Sequence, residues 1–153
     1  MKNDTIIDFY DVLRDEAAHN PLIGAREGKK HFFRGEINEF YVGLRNNCDF
    51  PAVIGEGFRN TYAKQGNGIW KERETAFSVV DSYPDTDDWD QIDTVFACCE
   101  TIGDDILKKL LDEYRAQGCT ILAEDVEAEQ VENMQERWAG LRYTVIIKSW
   151  WKE

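Results

Sequence analysis

Residues that often carry catalysis are scarce in this sequence, which holds only two histidines and three serines. No serine lies in a GxSxG nucleophile elbow, and Gly66-Asn67-Gly68 lacks the GxxxxGK[ST] pattern of a phosphate-binding loop. The four cysteines form no CxxC pair, so a structural zinc ion is not expected. Cys48 and His31 could form a nucleophilic dyad only if the fold brings them together. We therefore expect no cofactor, no metal ion and no enzymatic activity.

Positive charge and long apolar runs are also scarce. The 18 lysines and arginines face 30 aspartates and glutamates, which gives a formal net charge of −12. This charge excludes a generally basic surface, so we expect no sequence-specific nucleic acid partner and no polybasic membrane anchor. No apolar run approaches the roughly 20 residues of a membrane-spanning helix. Asp4 and Asp8 interrupt the segment where a secretion signal would lie, so none is expected.

The chain does contain the material for a folded core, because 42% of its residues are hydrophobic and 12% are aromatic. A disordered acidic tail would lack those aromatic residues. No linker rich in glycine, serine or proline divides the 153 residues. The sequence therefore predicts one α+β domain spanning residues 1–153.

The hydrophobic periodicity predicts three helices and four strands. A helix over residues 6–17 ends at Asn20-Pro21, a shorter helix fits residues 36–46, and a long helix fits residues 89–117. Four strands are predicted over residues 52–64, 69–83, 119–131 and 138–150. Gly66-Asn67-Gly68 marks a hairpin between the first two strands, because Asn-Gly favours the positive φ angles of a tight turn. The expected fold is an antiparallel or mixed four-stranded sheet with the long helix and the two N-terminal helices packed on one face.

Two late features are candidate interfaces. Asp125, Glu127 and Glu129 lie two residues apart, so on a strand their carboxylates point the same way. Either these carboxylates form a solvent-exposed surface that can dock a partner, or they bind a divalent cation in a metal-assisted enzyme. Trp150 and Trp151 point to opposite faces of the last strand, so one small core cannot bury both. Tryptophan is enriched at interface centres, which makes this pair a second candidate.

The sequence also carries a resemblance to a known family. HFFRGEINEFY at residues 31–41, followed by FPAVIGE at residues 50–56, resembles the tail-terminator or tail-completion proteins of tailed phages and prophages. The order of the predicted elements and the chain length are similar as well. The resemblance implies a non-enzymatic structural subunit that forms a homo-oligomeric ring, with six copies as the expected number. That ring would cap the tail tube and join it to the head–tail connector, in the cytoplasm of a bacterial host during assembly and then in the virion.

A different class of protein fits the charge alone. An acidic inhibitor or immunity-type protein uses negative charge to steer its association with a basic partner, such as a nuclease toxin. A ring in solution would favour the tail-terminator hypothesis, binding to a basic protein would favour the inhibitor, and binding of a divalent cation would favour the enzyme.

Overall fold

The computed structural model describes residues 6–25, 28–35, 48–84, 88–118 and 125–152. Within these ranges the chain forms two α-helices and six β-strands, which confirms the α+β class. The elements in chain order are α1 (Ile6–His19), β1 (Phe32–Arg34), β2 (Ala52–Gly55), β3 (Arg59–Gln65), β4 (Gly68–Ser82), α2 (Trp89–Ala116), β5 (Glu127–Asn133) and β6 (Trp138–Lys152). Among the described residues, neither helix combines the length and apolarity needed to cross a membrane.

The six strands form one mixed sheet in the order β1-β2-β4-β6-β5, with β3 also paired to β4. β1 and β2 are parallel, and every other recorded pair is antiparallel. The prediction of four strands is wrong for two reasons. The segment predicted as one strand over 52–64 divides into β2 and β3, and β1 was not predicted. The helix predicted for residues 36–46 lies outside the described residues.

α2 is the longest element, with 28 residues. Asp88 caps its N-terminus, since the Asp88 carboxylate accepts a hydrogen bond from the backbone N–H of Asp90 at 2.9 Å. The apolar residues recur every three or four positions, so one face of the helix is buried. The buried residues are Ile92, Phe96, Cys99, Ile102, Gly103, Ile106, Leu110 and Tyr114. Trp89 was predicted to continue this face but is 55% exposed, because it is the first residue of the helix.

Both helices pack on the same face of the sheet and share one core with it. Phe9 and Leu13 from α1 and Ile106 from α2 are fully buried there. From the sheet, Phe77 and Tyr143 stack with ring planes 3° apart and centroids 4.8 Å apart. Burying each such side chain contributes about 1.5–3 kcal/mol. This core therefore fixes the helices on one face and leaves the strand residues of opposite parity pointing away from them.

Among the described residues, the opposite face of the sheet carries a buried apolar cluster at one end. There Ala52, Ile54, Val80 and Trp138 form a second buried cluster with Cys48. The paired strands continue past this cluster toward the β3–β4 hairpin, where their side chains become polar. That polar region is the main candidate for function.

Candidate functional site: the polar face and the two sheet edges

The polar face is the part of the sheet surface that points away from the helices and lies beyond the Trp138 cluster. Register pairs place charged residues of four strands side by side on it, because directly paired residues share a face. The charged residues of this face are Arg59, Glu72, Glu74, Glu127, Glu129, Arg142 and Lys148. Acidic and basic side chains alternate across the strands, so the polar face is held by ion pairs rather than by apolar contacts.

Arg142 makes the strongest of these contacts, with Glu56. The Nε and Nη2 atoms of Arg142 lie 2.7 and 3.0 Å from the two carboxylate oxygens of Glu56, which is a bidentate pair. Their side chains are 27% and 11% exposed, so water screens the pair only in part. The hydrogen bonds that Arg142 donates to the Glu56 carboxylate raise the pKa of the Arg142 guanidinium, and the Glu129 carboxylate adds to this effect.

The backbone around Glu56 explains why its side chain is held so firmly. The Glu56 carbonyl oxygen accepts hydrogen bonds from the Tyr10 hydroxyl at 2.5 Å and from the Thr75 hydroxyl at 3.1 Å. A Cβ atom at the preceding residue, Gly55, would lie only 2.9 Å from Cδ1 of Leu13. Glycine therefore lets α1 approach the end of β2 closely, and α1 in turn anchors Glu56 beneath Arg142.

The three predicted carboxylates reach this face but do not converge on one point. Asp125 lies 3.1 Å from Lys148, and Glu129 lies 3.6 Å from Arg142. Glu127 is exposed on β5. Over the described parts of the chain, no three His, Cys, Asp or Glu side chains are grouped as a metal site. Two of the three candidates thus belong to ion pairs.

The other predicted interface, Trp150 and Trp151, lies on β6 near its end. The backbone of Trp150 pairs with that of Trp70 on β4. The side chains of both tryptophans are outside the described residues, so their exposure stays a prediction.

A groove of about 520 Å³ opens on the polar face. It is lined by Glu74, Glu127, Glu129, Arg142 and Thr144, together with Ala128. Three carboxylates face a single guanidinium that already has partners, so the groove is negative. Its chemistry suits a basic side chain of another protein.

Three described strands lie at the edges of the sheet, β5 on one side and β1 and β3 on the other, and β3 and β5 carry opposite charge. β5, the acidic edge, contains Glu127, Glu129 and Glu132 and no basic residue. β3, the basic edge, contains Arg59 and Lys64 and no acidic residue. In the described part of the chain, β5 pairs only with β6 and β3 pairs only with β4. Each strand therefore leaves one row of backbone hydrogen-bonding groups unpaired by the other described strands.

His31 and Cys48 do not form the dyad considered from the sequence. His31 Nδ1 lies 2.9 Å from the carbonyl oxygen of Pro51, and the two side chains share no recorded hydrogen bond. Burial raises the pKa of Cys48 to about 12, with the Asp49 carboxylate adding to the shift. A nucleophilic cysteine needs a lowered pKa, so this environment has the opposite effect.

Sequence reasoning missed both the Arg142–Glu56 pair and the opposite charge of the edges. The pair joins residues 86 positions apart, and nothing local connects them. The basic edge had a visible signal, since RNTYAKQ lacks any acidic residue. The prediction of a single strand over residues 52–64 does not separate this segment, because that strand also includes Glu56.

Comparisons with known proteins add no assignment to these observations. No protein-family model matches the sequence, and no curated protein matches it. Function is therefore inferred from the polar face and the two edges.

Proposed function

We propose that this protein is a non-enzymatic assembly subunit of the phage tail-terminator type, which forms a ring that caps a tail tube and joins it to the head–tail connector. The observation that carries this proposal is a sheet whose two sides end in different strands, β5 on one side and β1 and β3 on the other. A closed ring of identical subunits needs two unlike surfaces on each copy, because its contacts run head to tail. The resemblance at residues 31–41 and 50–56 supports the same function.

The surface charge is compatible with a channel for DNA. A lumen that repels phosphates lets a duplex pass without sticking, and the chain carries a formal charge of −12. The polar face adds a surface of fixed ion pairs, suited to reversible contact with tube or connector proteins.

The test is the mass of the purified full-length protein in solution. We expect size-exclusion chromatography with light scattering to give a mass several times the 17.8 kDa of one chain, and electron microscopy to show rings. The mass should be measured from micromolar to hundreds of micromolar protein, because weak rings dissociate on dilution. A monomer over this whole range would contradict the proposal.

The negative groove favours a second candidate, an acidic inhibitor or immunity-type protein. It predicts that an oligo-arginine peptide binds the groove, and that Glu127→Gln/Glu129→Gln weakens binding about tenfold or more. The matched control is Asp93→Asn/Glu100→Asn, which removes the same charge from the exposed side of α2. Equal weakening in both variants would show a bulk charge effect and would contradict the inhibitor function.

A further inference from the structure

We propose that a basic pocket between α1 and the start of β1 binds the phosphate group of a small organic phosphate monoester. One face of α1 and the residues that lead into β1 line this pocket, which is separate from the polar face and from β3 and β5. Its volume is about 450 Å³, and small-molecule sites span about 300–1,000 Å³. The inference goes beyond the proposed ring and stands on different residues.

The lining of this pocket is basic although the chain is strongly acidic. Arg14, Lys29 and Lys30 bring three positive charges to it, and the buried His31 lines it as well. None of the described residues that line the pocket is acidic, whereas acidic residues outnumber basic ones 30 to 18 in the sequence. Such a local excess of positive charge favours the binding of an anion.

The existing ion pairs leave these cations available to a ligand. Arg14 lies 3.4 Å from Asp11, and Lys29 lies 3.9 Å from Asp49. All four side chains are at least 40% exposed, and pairs this exposed contribute little, so an anion can compete for both cations. The Lys30 ammonium has no ion pair with any residue that the structure describes.

The backbone holds the basic segment in place without a ligand. The N–H of Lys30 donates to the Asp49 carboxylate at 2.7 Å, and the carbonyl oxygen of Lys30 accepts from the N–H of Asp49 at 2.5 Å. The carbonyl oxygen of His31 accepts from the N–H of Val53 on β2 at 2.7 Å. Binding would therefore order little of this backbone, and such preorganisation favours affinity.

His31 supplies a further group for hydrogen bonding. Its Nδ1 lies 2.9 Å from the carbonyl oxygen of Pro51, so Nδ1 carries the proton that this contact needs. Nε2 is then the ring nitrogen left for a ligand. It accepts from a phosphate hydroxyl when the ring is neutral, and it donates to a phosphate oxygen when the ring is charged.

Some nearby charges disfavour an anion. The last turn of α1 borders the pocket, and a helix C-terminus carries about half a negative elementary charge. Asp49 lies beside Lys30, and Asp81 lies near His31. The three lysine and arginine charges line the pocket itself, and they dominate because electrostatic interactions weaken with distance and are screened by salt.

A phosphate monoester fits this set of donors better than a carboxylate does. At neutral pH a phosphate monoester carries nearly two negative charges and three acceptor oxygens. A carboxylate has one charge and two oxygens. The guanidinium of Arg14 can bind two phosphate oxygens at once, and each lysine adds a point charge.

The rest of the lining is apolar and suits the organic part of such a ligand. It consists of Ala17, Ala18, Ala25 and Phe32. The guanidinium of Arg14 lies 5.1 Å from the centre of the Phe32 ring, so charge and apolar surface meet inside one pocket. An inorganic phosphate ion would contact the cations but leave the apolar lining uncovered.

The experiment measures the binding of four probes to the full chain by isothermal titration calorimetry: adenosine 5′-monophosphate, glucose 6-phosphate, inorganic phosphate and acetate. Sodium chloride at about 0.15 M screens charges more than roughly 8 Å away, so distant carboxylates contribute little. At least one of the two esters should bind more tightly than inorganic phosphate, because only an ester covers the apolar lining. Acetate should bind about tenfold more weakly than that ester, or less.

Two variants test whether the ester binds in this pocket. Lys29→Gln/Lys30→Gln removes two of the three cations, and Ala18→Glu places a carboxylate at an exposed position of the lining. Each variant should weaken binding of the ester about tenfold or more. Because all three positions are exposed, we expect both variants to fold, and thermal unfolding checks this.

The matched controls make the same charge changes at exposed positions of α2, in Lys108→Gln/Arg115→Gln and Ala97→Glu. They should bind the ester like the wild type. Absence of ester binding at about 10 mM, equal weakening in the controls, or acetate that binds as tightly as the esters would overturn the phosphate site. Inorganic phosphate that binds as tightly as both esters would overturn the assignment of an organic ligand.

Discussion

At the scale of single residues, the helix layer approaches the sheet closely at Gly103. A Cβ atom there would lie 2.2 Å from Cε1 of Tyr143 and 2.5 Å from its hydroxyl oxygen. That hydroxyl donates to the Glu100 carbonyl oxygen or the Asp104 carboxylate, at 3.1 and 2.9 Å. Burial raises the pKa of Tyr143, so the hydroxyl remains a donor. Glycine is required here for space, not for an unusual backbone angle.

We therefore expect Gly103→Ala to lower the free energy of unfolding by about 1–3 kcal/mol, the usual cost of overpacking a core. Denaturant unfolding followed by circular dichroism measures this change. Gly57→Ala is the matched control, since a Cβ atom at Gly57 meets nothing within 4 Å. Equal stability of the two variants would show that α2 shifts to accept the methyl group.

The Arg142–Glu56 pair is the second prediction at this scale. Arg142→Ala should lower the free energy of unfolding by about 1.5–3 kcal/mol, because it leaves the Glu56 carboxylate, only 11% exposed, without its charged partner. Arg59→Ala breaks the Arg59–Glu74 pair, whose side chains are 78% and 42% exposed, and should cost less than about 1 kcal/mol. A double-mutant cycle with Glu56→Gln isolates the coupling. A coupling near zero would contradict the structural role of this pair.

At the scale of the elements, local signals were reliable and long-range ones were not. The long helix predicted over 89–117 is observed as Trp89–Ala116. It could be predicted because its 3.6-residue hydrophobic period and its acidic N-cap are both local features of the sequence. β1 has only three residues and pairs in parallel with β2, so its existence depends on a contact that no local pattern encodes. At the break between β2 and β3, residues 56–58 lie opposite only residues 75–76 of β4, and the hydroxyls of Tyr10 and Thr75 donate to the Glu56 carbonyl oxygen there.

In the candidate surfaces, too, the local pattern could be predicted from the sequence and the long-range contacts could not. The same-face pattern of Glu127 and Glu129 followed from strand alternation and is confirmed by their pairing with Thr144 and Arg142. Their ionic partners could not be predicted, because they depend on which strands become neighbours in the sheet. The polar face is therefore a product of strand order, whereas its acidic residues were visible in the sequence.

The β3–β4 hairpin offers a prediction for a whole element. Its turn residues are Gly66 and Asn67, and Gly66 has a φ angle of 62°. Positive φ falls on the first turn residue, so the Asn-Gly turn expected from the sequence is shifted by one position. Gly66→Ala should cost about 1 kcal/mol, since a side chain disfavours this conformation. Asn67→Ala, at the other turn residue, should cost less, and the reverse order by thermal unfolding would contradict the turn assignment.

At the scale of the whole molecule, negative charge is concentrated in two parts of the chain, the helix layer and residues 124–136. α1 and α2 together hold eleven acidic and four basic residues, so they account for more than half of the net charge of −12. On the polar face, by contrast, charges of both signs alternate. Lys109 offsets the excess between the helices through contacts with Glu16 at 2.7 Å and Asp15 at 3.9 Å. The late acidic segment, residues 124–136, has six acidic and no basic residues, so its formal charge of −6 is nearly as large as that of the helix layer.

This distribution predicts how stability responds to salt. Repulsion within the helix layer acts over distances that salt screens, since the Debye length falls from about 30 Å at 0.01 M to about 3 Å at 1 M. Salt also weakens the ion pairs of the polar face, but exposed pairs contribute little. Raising sodium chloride over this range should thus raise the midpoint of thermal unfolding by about 2–4 °C, equivalent to about 1 kcal/mol. In Asp93→Lys/Glu100→Lys, which relieves the repulsion, the rise should be smaller. A midpoint that falls with salt would mean that the ion pairs of the polar face outweigh the repulsion between the helices.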